Sequence, residues 1–200
     1  MTALTAQEIY NEISTRKIIQ PCNLSIEHNH QFQAASYDIR TGYMIHVDTN
    51  STASDAYRLL NAGDEVLICP SSVSMLYEMF INKIFPKRNP CIKVFTTSLT
   101  IKSYENLAIP NDIASNVVLR TSAVRAGLIH SLAGWIDPGF VGNLSLTLSS
   151  TKPVKVYPLM RIAQLIFYRL SEETVLPYGS NRNHYQNQSN PLPVADNVFD

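Results

Sequence analysis

Short β-like runs separated by turn residues occupy most of this chain after Ser36, and they restrict what it can fold into. The clearest run, Asn143 to Leu148, alternates polar residues with leucines, so its leucines share one face of a strand. Similar short runs cover Tyr43 to Val47, Glu65 to Cys69, Ile92 to Thr97, Val117 to Leu119, Val154 to Tyr157 and Arg161 to Leu170. The pattern predicts a mainly β fold, a β-barrel or jelly-roll, rather than a parallel α/β sheet.

The start of the chain predicts a short amphipathic helix and a short strand. Thr5 can cap the helix with Glu8 three residues later, and Ile9 and Ile13 share one face. The strand, residues 18–20, ends at a proline.

Two hundred residues suit one domain. We assign residues 1–178 to it, with 70–98 as a possible insertion whose segment 74–84 is a helix or irregular. Residues 179–200 are rich in Asn, Gln, Ser and Pro and have little to bury, which predicts a flexible C-terminal tail.

Composition excludes several classes of partner. Acidic and basic residues balance at 16 each, so we expect no nucleic acid and no membrane as partner. Only 16% of residues are charged, which favours a surface covered by self-association. The scattered Cys22, Cys69 and Cys91 fit a reducing cytoplasm, where we expect small buried side chains.

Common catalytic motifs are missing from the sequence. It contains no H-x-E with P-C-x-x-C for a zinc deaminase, and no glycine-rich phosphate loop, nucleophile elbow or H-E-x-x-H. The pair His28 and His30 resembles metal ligands, but a solvated loop is the better interpretation. We therefore predict no protein-held metal.

The segment LRTSAVRAGLIHSLAGWIDPGFVG, residues 119–142, carries the most chemistry. Arg120, Thr121, Ser122 and Arg125 offer the guanidinium forks and hydroxyls that suit a polyphosphate, and Asp137 can orient water. The same residues also have structural interpretations. The cluster Arg120–Arg125 can be charge at a strand end, and Asp137 can be the first residue of an Asp-Pro-Gly β-turn. Gln164, among apolar residues, needs hydrogen-bond partners that phosphate or backbone can supply.

Taken together, these motifs resemble the dCTP deaminase/dUTPase superfamily. Matching segments, in the family's order, are 18–21 (IIQP), 35–42 (ASYDIRTG), 61–65 (NAGDE), 105–113, 120–125 (RTSAVR), 133–140 (AGWIDPGF), 161–167 (RIAQLIF) and the tail residues Tyr178 and 184–188. The motif 133–140 is close to that of bifunctional dCTP deaminase-dUTPases. Residues 70–98 match least well.

The resemblance implies a distorted β-barrel of the dUTPase type, a homotrimer with sites at subunit interfaces, and a pyrimidine deoxynucleoside triphosphate carrying Mg²⁺ through its phosphates. It implies catalytic roles for Asp137, which would position water, and for Arg125. The substrate-binding set would comprise Arg120, Thr121, Ser122, Ala123, Val124, Arg125, Asp137, Ser145, Leu146, Thr147, Gln164, Tyr178, His184 and Gln188. Tyr178, His184 and Gln188 would belong to a tail that closes over the nucleotide.

One position departs from the deaminase pattern. Deaminases and bifunctional members carry a glutamate in the strand after the I-D motif, where it moves a proton from water toward ammonia, and this chain has Thr147. A threonine hydroxyl does not replace that proton shuttle, a function worth roughly 10²–10⁴-fold in rate. dUTPases also lack this glutamate, but their glycine-rich C-terminal motif is absent here, and the span between Arg125 and Asp137 is one residue shorter than in deaminases.

Three hypotheses follow. The leading one is hydrolysis of dUTP to dUMP and pyrophosphate, with Asp137 positioning the water. The second is deamination of dCTP or a modified cytosine nucleotide. The third is a non-catalytic nucleotide sensor or interaction module with an unidentified protein partner. Three departures from the family pattern favour it: Leu119 in place of the usual glycine, Thr121 in place of a serine and Thr147 in place of the glutamate.

Overall fold

The computed structural model describes residues 1–47, 57–70, 92–130, 134–180 and 185–189, with the backbone alone for 92–95. Its helices are α1 Ala6–Arg16 and α2 Thr121–Ala126. Its strands are β1 Thr2–Ala3, β2 Ile19–Gln20, β3 Phe32–Gln33, β4 Ser36–Val47, β5 Tyr57–Leu59, β6 Glu65–Ile68, β7 Ile92–Thr96, β8 Ser98–Ala108, β9 Ile113–Leu119, β10 Leu128–His130, β11 Trp135–Ile136, β12 Val141–Ser150, β13 Val154–Val156 and β14 Arg161–Arg169. The mainly β class predicted from the sequence is confirmed.

Two sheets form within the described residues. The larger is antiparallel and runs β10–β12–β8–β4–β14–β9–β11, with β1, β2, β3 and β5 attached at its sides. The smaller runs β13–β6–β7, and its β6 and β7 are parallel. The large sheet curls into a half-barrel that encloses the core, as the barrel prediction requires.

Helix α1 closes one side of that core. Thr5 and Glu8 form a reciprocal capping box, while Ile9 and Ile13 are fully buried, as predicted. At its last turn Arg16 pairs with Asp112, whose other oxygen pairs with Arg169 of β14. The helix is therefore attached to the sheet by apolar contact and by ion pairs.

Strand β12 confirms the predicted alternation. Leu144, Leu146 and Leu148 face the core, while Ser145 and Thr147 are half-buried on the opposite face. On that second face Ser145 and Thr147 pair with Lys102 and Thr100 of β8, which gives a row of polar side chains.

Some sequence predictions differ from the structure or fall outside it. Residues Thr121–Ala126, which follow the end of β9, form a helical turn that was not predicted, and Gly127 closes it at φ 102°. Segment 74–84 lies outside the described residues, as does most of the possible insertion 70–98. His28 and His30 are exposed, in keeping with a solvated loop.

The cysteines follow the prediction in part. Cys69 is buried, whereas Cys22 is only half-buried and accepts a hydrogen bond from the Tyr37 hydroxyl at 3.2 Å. Cys91 lies outside the described residues. Of the helices in the described ranges, none combines the length and apolar character that a membrane span needs.

Candidate functional site

Helix α2 carries most of the predicted phosphate-binding residues. Ala123 is buried against the core, and this contact turns Thr121, Ser122, Val124 and Arg125 toward solvent. The helix follows β9 directly, so the exposed hydroxyls and the Arg125 guanidinium lie at the end of that strand. This arrangement can bind an anion from solution with hydroxyls and one cation.

Arg120, the residue between β9 and α2, points back toward the sheet. Its Nε lies 2.9 Å from Oδ2 of Asp38, a carboxylate with 0% exposure on β4. Arg161 Nη1 lies 3.5 Å from the same oxygen. Burial raises the pKa of Asp38, and the positive charges of Arg120 and Arg161 oppose that rise. Two cations and one buried anion therefore form a compact cluster at this end of β4.

Gln164 belongs to the same cluster. It is paired directly with Asp38 across β14 and β4, so the two side chains share a face of the sheet. Gln164 is half-buried. The structure thus places Arg120 and Gln164, two predicted phosphate ligands, around one carboxylate.

Asp137 occupies an exposed turn between β11 and β12. The indole Nε1 of Trp135 donates to its Oδ1 at 3.0 Å, and the Trp135 ring stacks on Tyr168 with centroids 6.2 Å apart. Gly139 adopts φ 87°, and a Cβ there would come within 2.7 Å of Pro177 Cβ. The β-turn interpretation is confirmed by the hydrogen bond from the Phe140 backbone N–H to the Asp137 carbonyl at 3.3 Å, and the same turn presents an exposed carboxylate.

The described part of the tail packs against the start of β12. Gln186 bonds the backbone of Gly139 and Val141, and Gln188 Nε2 donates to the Asn143 carbonyl at 2.6 Å. Tyr178 accepts a hydrogen bond from the Tyr185 backbone, and burial raises the Tyr178 pKa. Tyr178 lies at the Asp137 turn, where its backbone N–H donates to the Pro138 carbonyl at 2.7 Å, and Gln188 lies further along, beside Gly142 and Asn143 of β12, whereas His184 lies outside the described residues. The mobility of the tail stays a prediction.

Thr147 lies on the outward face of β12 beside Ser145, while Leu146 between them is fully buried. The Thr147 hydroxyl is 2.9 Å from the hydroxyl of Thr100, its partner on β8. Glu172 and Glu173 instead line a separate shallow cleft with Met1 and Leu170. Among the described contacts of Thr147, the side-chain partner is a hydroxyl rather than a carboxylate.

Most of the predicted site residues fall into two groups that lie far apart within one chain. Trp135 pairs with Asn116, four positions before Arg120, and β11 runs away from Arg120 along β9. At about 3.3 Å per residue, Asp137 is roughly 20 Å from Arg120 along the strand direction. Arg120, Gln164 and α2 therefore form one group, and Asp137, Tyr178 and Gln188 form the other.

Sequence reasoning missed three residues that contact predicted site residues. Asp38 belongs to the strand motif 35–42, and its charge between the apolar Tyr37 and Ile39 was the available signal. Trp135 and Thr100 act through hydrogen bonds to Asp137 and Thr147, and the long-range contact of Thr100 has no sequence signal.

Within the described ranges, no group of three or more His, Cys, Asp or Glu side chains is arranged to hold a metal ion. The donor set around the site consists of guanidinium, hydroxyl and amide groups with single carboxylates. These residues suit a cation that arrives bound to phosphate oxygens better than a cation held by the protein.

Comparison with known proteins shows which proteins the sequence is similar to. A dCTP deaminase-like family model matches residues 3–170. The chain is 35% identical over 161 residues to a "dCTP deaminase, dUMP-forming" of Thermobifida fusca, covering 67% of this chain and 82% of that protein. It is 46% identical over 94 residues to a protein of the same name from Pseudarthrobacter chlorophenolicus, covering 44% and 49%.

A solved structure supports the fold. The 2'-deoxycytidine 5'-triphosphate deaminase of Agrobacterium tumefaciens superposes with a TM-score of 0.58 at 17% identity, covering 82% of this chain. The chain spans 47% of that solved chain. At this identity the likeness concerns the fold alone.

Proposed function

The chain belongs to the dCTP deaminase-like family, and from this premise we propose that it binds pyrimidine deoxynucleoside triphosphates and hydrolyses dUTP to dUMP and pyrophosphate. The proposed reaction cleaves a phosphate bond and does not release ammonia.

The contact between Thr147 and Thr100 carries this proposal. Loss of ammonia from cytosine needs a group that takes a proton from water and passes it on, and a carboxylate near neutral pKa does this well. Here position 147 offers a hydroxyl already hydrogen-bonded to a second hydroxyl at 2.9 Å. A neutral pair of this kind orients a ligand but does not shuttle its protons.

Asp137 supplies what hydrolysis requires. Its carboxylate is exposed, and Trp135 holds one oxygen at 3.0 Å, which leaves the other to orient a water for in-line attack on the α-phosphate. Arg125 and Ser122 on α2 would hold phosphate oxygens, and Mg²⁺ would arrive on the nucleotide and neutralise developing charge.

The two groups of site residues favour a site shared between copies of the chain. Asp137 and Arg120 are separated by roughly 20 Å along β9, too far for both to act at one phosphate within a single chain. We propose that the chain assembles as a homotrimer in which α2 of one copy faces the Asp137 turn of the next. The low charge content of the sequence is in keeping with such covered surface.

Deamination of dCTP is the second candidate, favoured by the names of the relatives, which are dUMP-forming dCTP deaminases. It requires a proton carrier other than residue 147. Binding without turnover is the third candidate, and the departures from the family pattern at Leu119, Thr121 and Thr147 favour it.

One product analysis separates these candidates. Purified protein with Mg²⁺ is incubated with dUTP, dCTP, dTTP or dATP, and the products are resolved by chromatography. The proposal predicts dUMP and pyrophosphate from dUTP, with dCTP left intact. Uracil nucleotides formed from dCTP would establish deamination, and calorimetric binding without product would establish a non-catalytic role.

A further inference from the structure

We propose that Asp38 is a positioning residue for Arg120, holding the Nε edge of its guanidinium so that the terminal nitrogens face the triphosphate. This inference rests on the proposed function, because it assigns Arg120 to the phosphates of the same nucleotide.

The burial of Asp38 indicates that its carboxylate has a role beyond packing. It is 0% exposed, and apolar residues of similar volume often stabilise a fold as well as a buried ion pair does. Its neighbours in β4, Tyr37 and Ile39, are also fully buried. A charge at this position therefore needs a function that a hydrophobic side chain does not provide.

The contacts of Asp38 converge on one of its two oxygens. Arg120 Nε lies 2.9 Å from Oδ2, while Arg161 Nη1 and Gln33 Nε2 each lie 3.5 Å from it. Oδ1 is buried and has no hydrogen-bond partner among the described residues. The ion pair thus fixes the Nε atom of Arg120, and it does not engage the two terminal nitrogens of the guanidinium.

Among the described residues, the remaining N–H donors of Arg120 have no partner, so they can act on a ligand. A guanidinium carries five N–H groups, and the recorded contacts use Nε and one bond from Nη1 to the Arg161 carbonyl at 3.4 Å. The Arg120 side chain is 26% exposed, so part of it reaches solvent at the start of α2. Terminal guanidinium nitrogens form the fork that binds two phosphate oxygens.

A matched set of variants tests the positioning role by calorimetry, with dUMP and a non-hydrolysable dUTP analogue as ligands. We expect Asp38→Asn to weaken binding of the triphosphate by about tenfold and binding of dUMP by less than about twofold. Arg120→Lys keeps the charge but loses the Nε contact, so it should reproduce this pattern. The double variant should be no weaker than Arg120→Lys alone, because both changes remove one interaction.

Glu105→Gln is the control. Glu105 is also 0% exposed and pairs with Arg40 on the neighbouring strand, so this variant should lower the melting temperature without changing the ratio of triphosphate to monophosphate affinity. If Asp38→Asn fails to fold, Arg120→Lys with the same two ligands still tests the Nε contact. Equal effects of Asp38→Asn on both ligands, or additive effects in the double variant, would overturn the positioning role.

Inorganic tripolyphosphate separates this inference from the proposed function. A parent protein that binds no dUTP analogue, yet binds tripolyphosphate with the same Asp38→Asn sensitivity, contradicts the nucleotide assignment and supports the positioning role. A parent that binds neither ligand contradicts both.

Discussion

The hydroxyl oxygens of Thr147 and Thr100 lie 2.9 Å apart across β12 and β8, on the outward face of the large sheet. Residue 147 is the position at which the resemblance to dCTP deaminases leads us to expect a glutamate. Thr147→Glu should therefore release ammonia from dCTP, at a rate roughly 10²-fold above that of the parent.

Thr147→Gln is the matched control, because it has the size of glutamate but accepts no proton. Ammonia is measured in a coupled assay with saturating dCTP. If the glutamate and glutamine variants release ammonia equally slowly, residue 147 does not decide between the two chemistries.

Trp135→Phe should slow hydrolysis of dUTP while leaving the Michaelis constant nearly unchanged. The phenyl ring can keep the contact with Tyr168, but it loses the Nε1 donor that holds Asp137. Loss of one exposed hydrogen bond of about 1 kcal/mol corresponds to roughly a fivefold lower kcat. Tyr168→Phe keeps a ring in the stack and should stay near the parent rate. A larger effect of Tyr168→Phe than of Trp135→Phe would show that the indole hydrogen bond is irrelevant.

His130 should make stability depend on pH. Burial lowers its pKa to about 4, and its Nε2 is buried with no partner among the described residues. The pKa of an unfolded histidine is about 6.5, so between pH 4 and pH 6.5 the unfolded chain binds a proton that the folded chain does not. Stability contributed by the neutral ring is complete above pH 6.5 and is lost as pH falls toward 4.

Thermal melts at pH 7.5 and pH 5 measure this effect. On acidification the melting temperature of the parent should fall further than that of His130→Gln. The difference should be roughly 2–4 °C if His130 contributes on the order of 1 kcal/mol to the free energy of unfolding. His28→Gln, in the exposed loop, should behave like the parent. Identical pH dependence in all three proteins would contradict the burial argument.

Self-association should be detectable by sedimentation. At micromolar concentration we expect a species of about three times the 22.4 kDa chain mass, because the proposed site needs α2 and the Asp137 turn from different copies. A single 22.4 kDa species in an active preparation would contradict the shared site.

Much of the fold was predictable from local patterns. Thr5 and Glu8 predicted the start of α1, and the leucine alternation predicted which face of β12 is buried, because both signals act over a few residues. The helical turn at 121–126 was missed, since its buried Ala123 and its closing Gly127 gain meaning only from the sheet beneath them.

The candidate site was predicted less completely. Arg120 and Asp137 were predicted from their residue types. The ion pair between Asp38 and Arg120 was not, because it joins positions 82 residues apart in sequence. Likewise, the pairing of Thr147 with Thr100 depends on strand register, which a single sequence does not specify.

The most direct test of the account is pyrophosphate release from dUTP by Asp137→Asn, measured beside calorimetric binding of a non-hydrolysable analogue. The amide keeps the shape of the side chain but orients the attacking water poorly. The account predicts that release falls by at least about 10²-fold while affinity stays within about threefold of the parent, and that the exposed-loop control Glu173→Gln changes neither. An Asp137→Asn protein that releases pyrophosphate as fast as the parent would contradict the proposed mechanism.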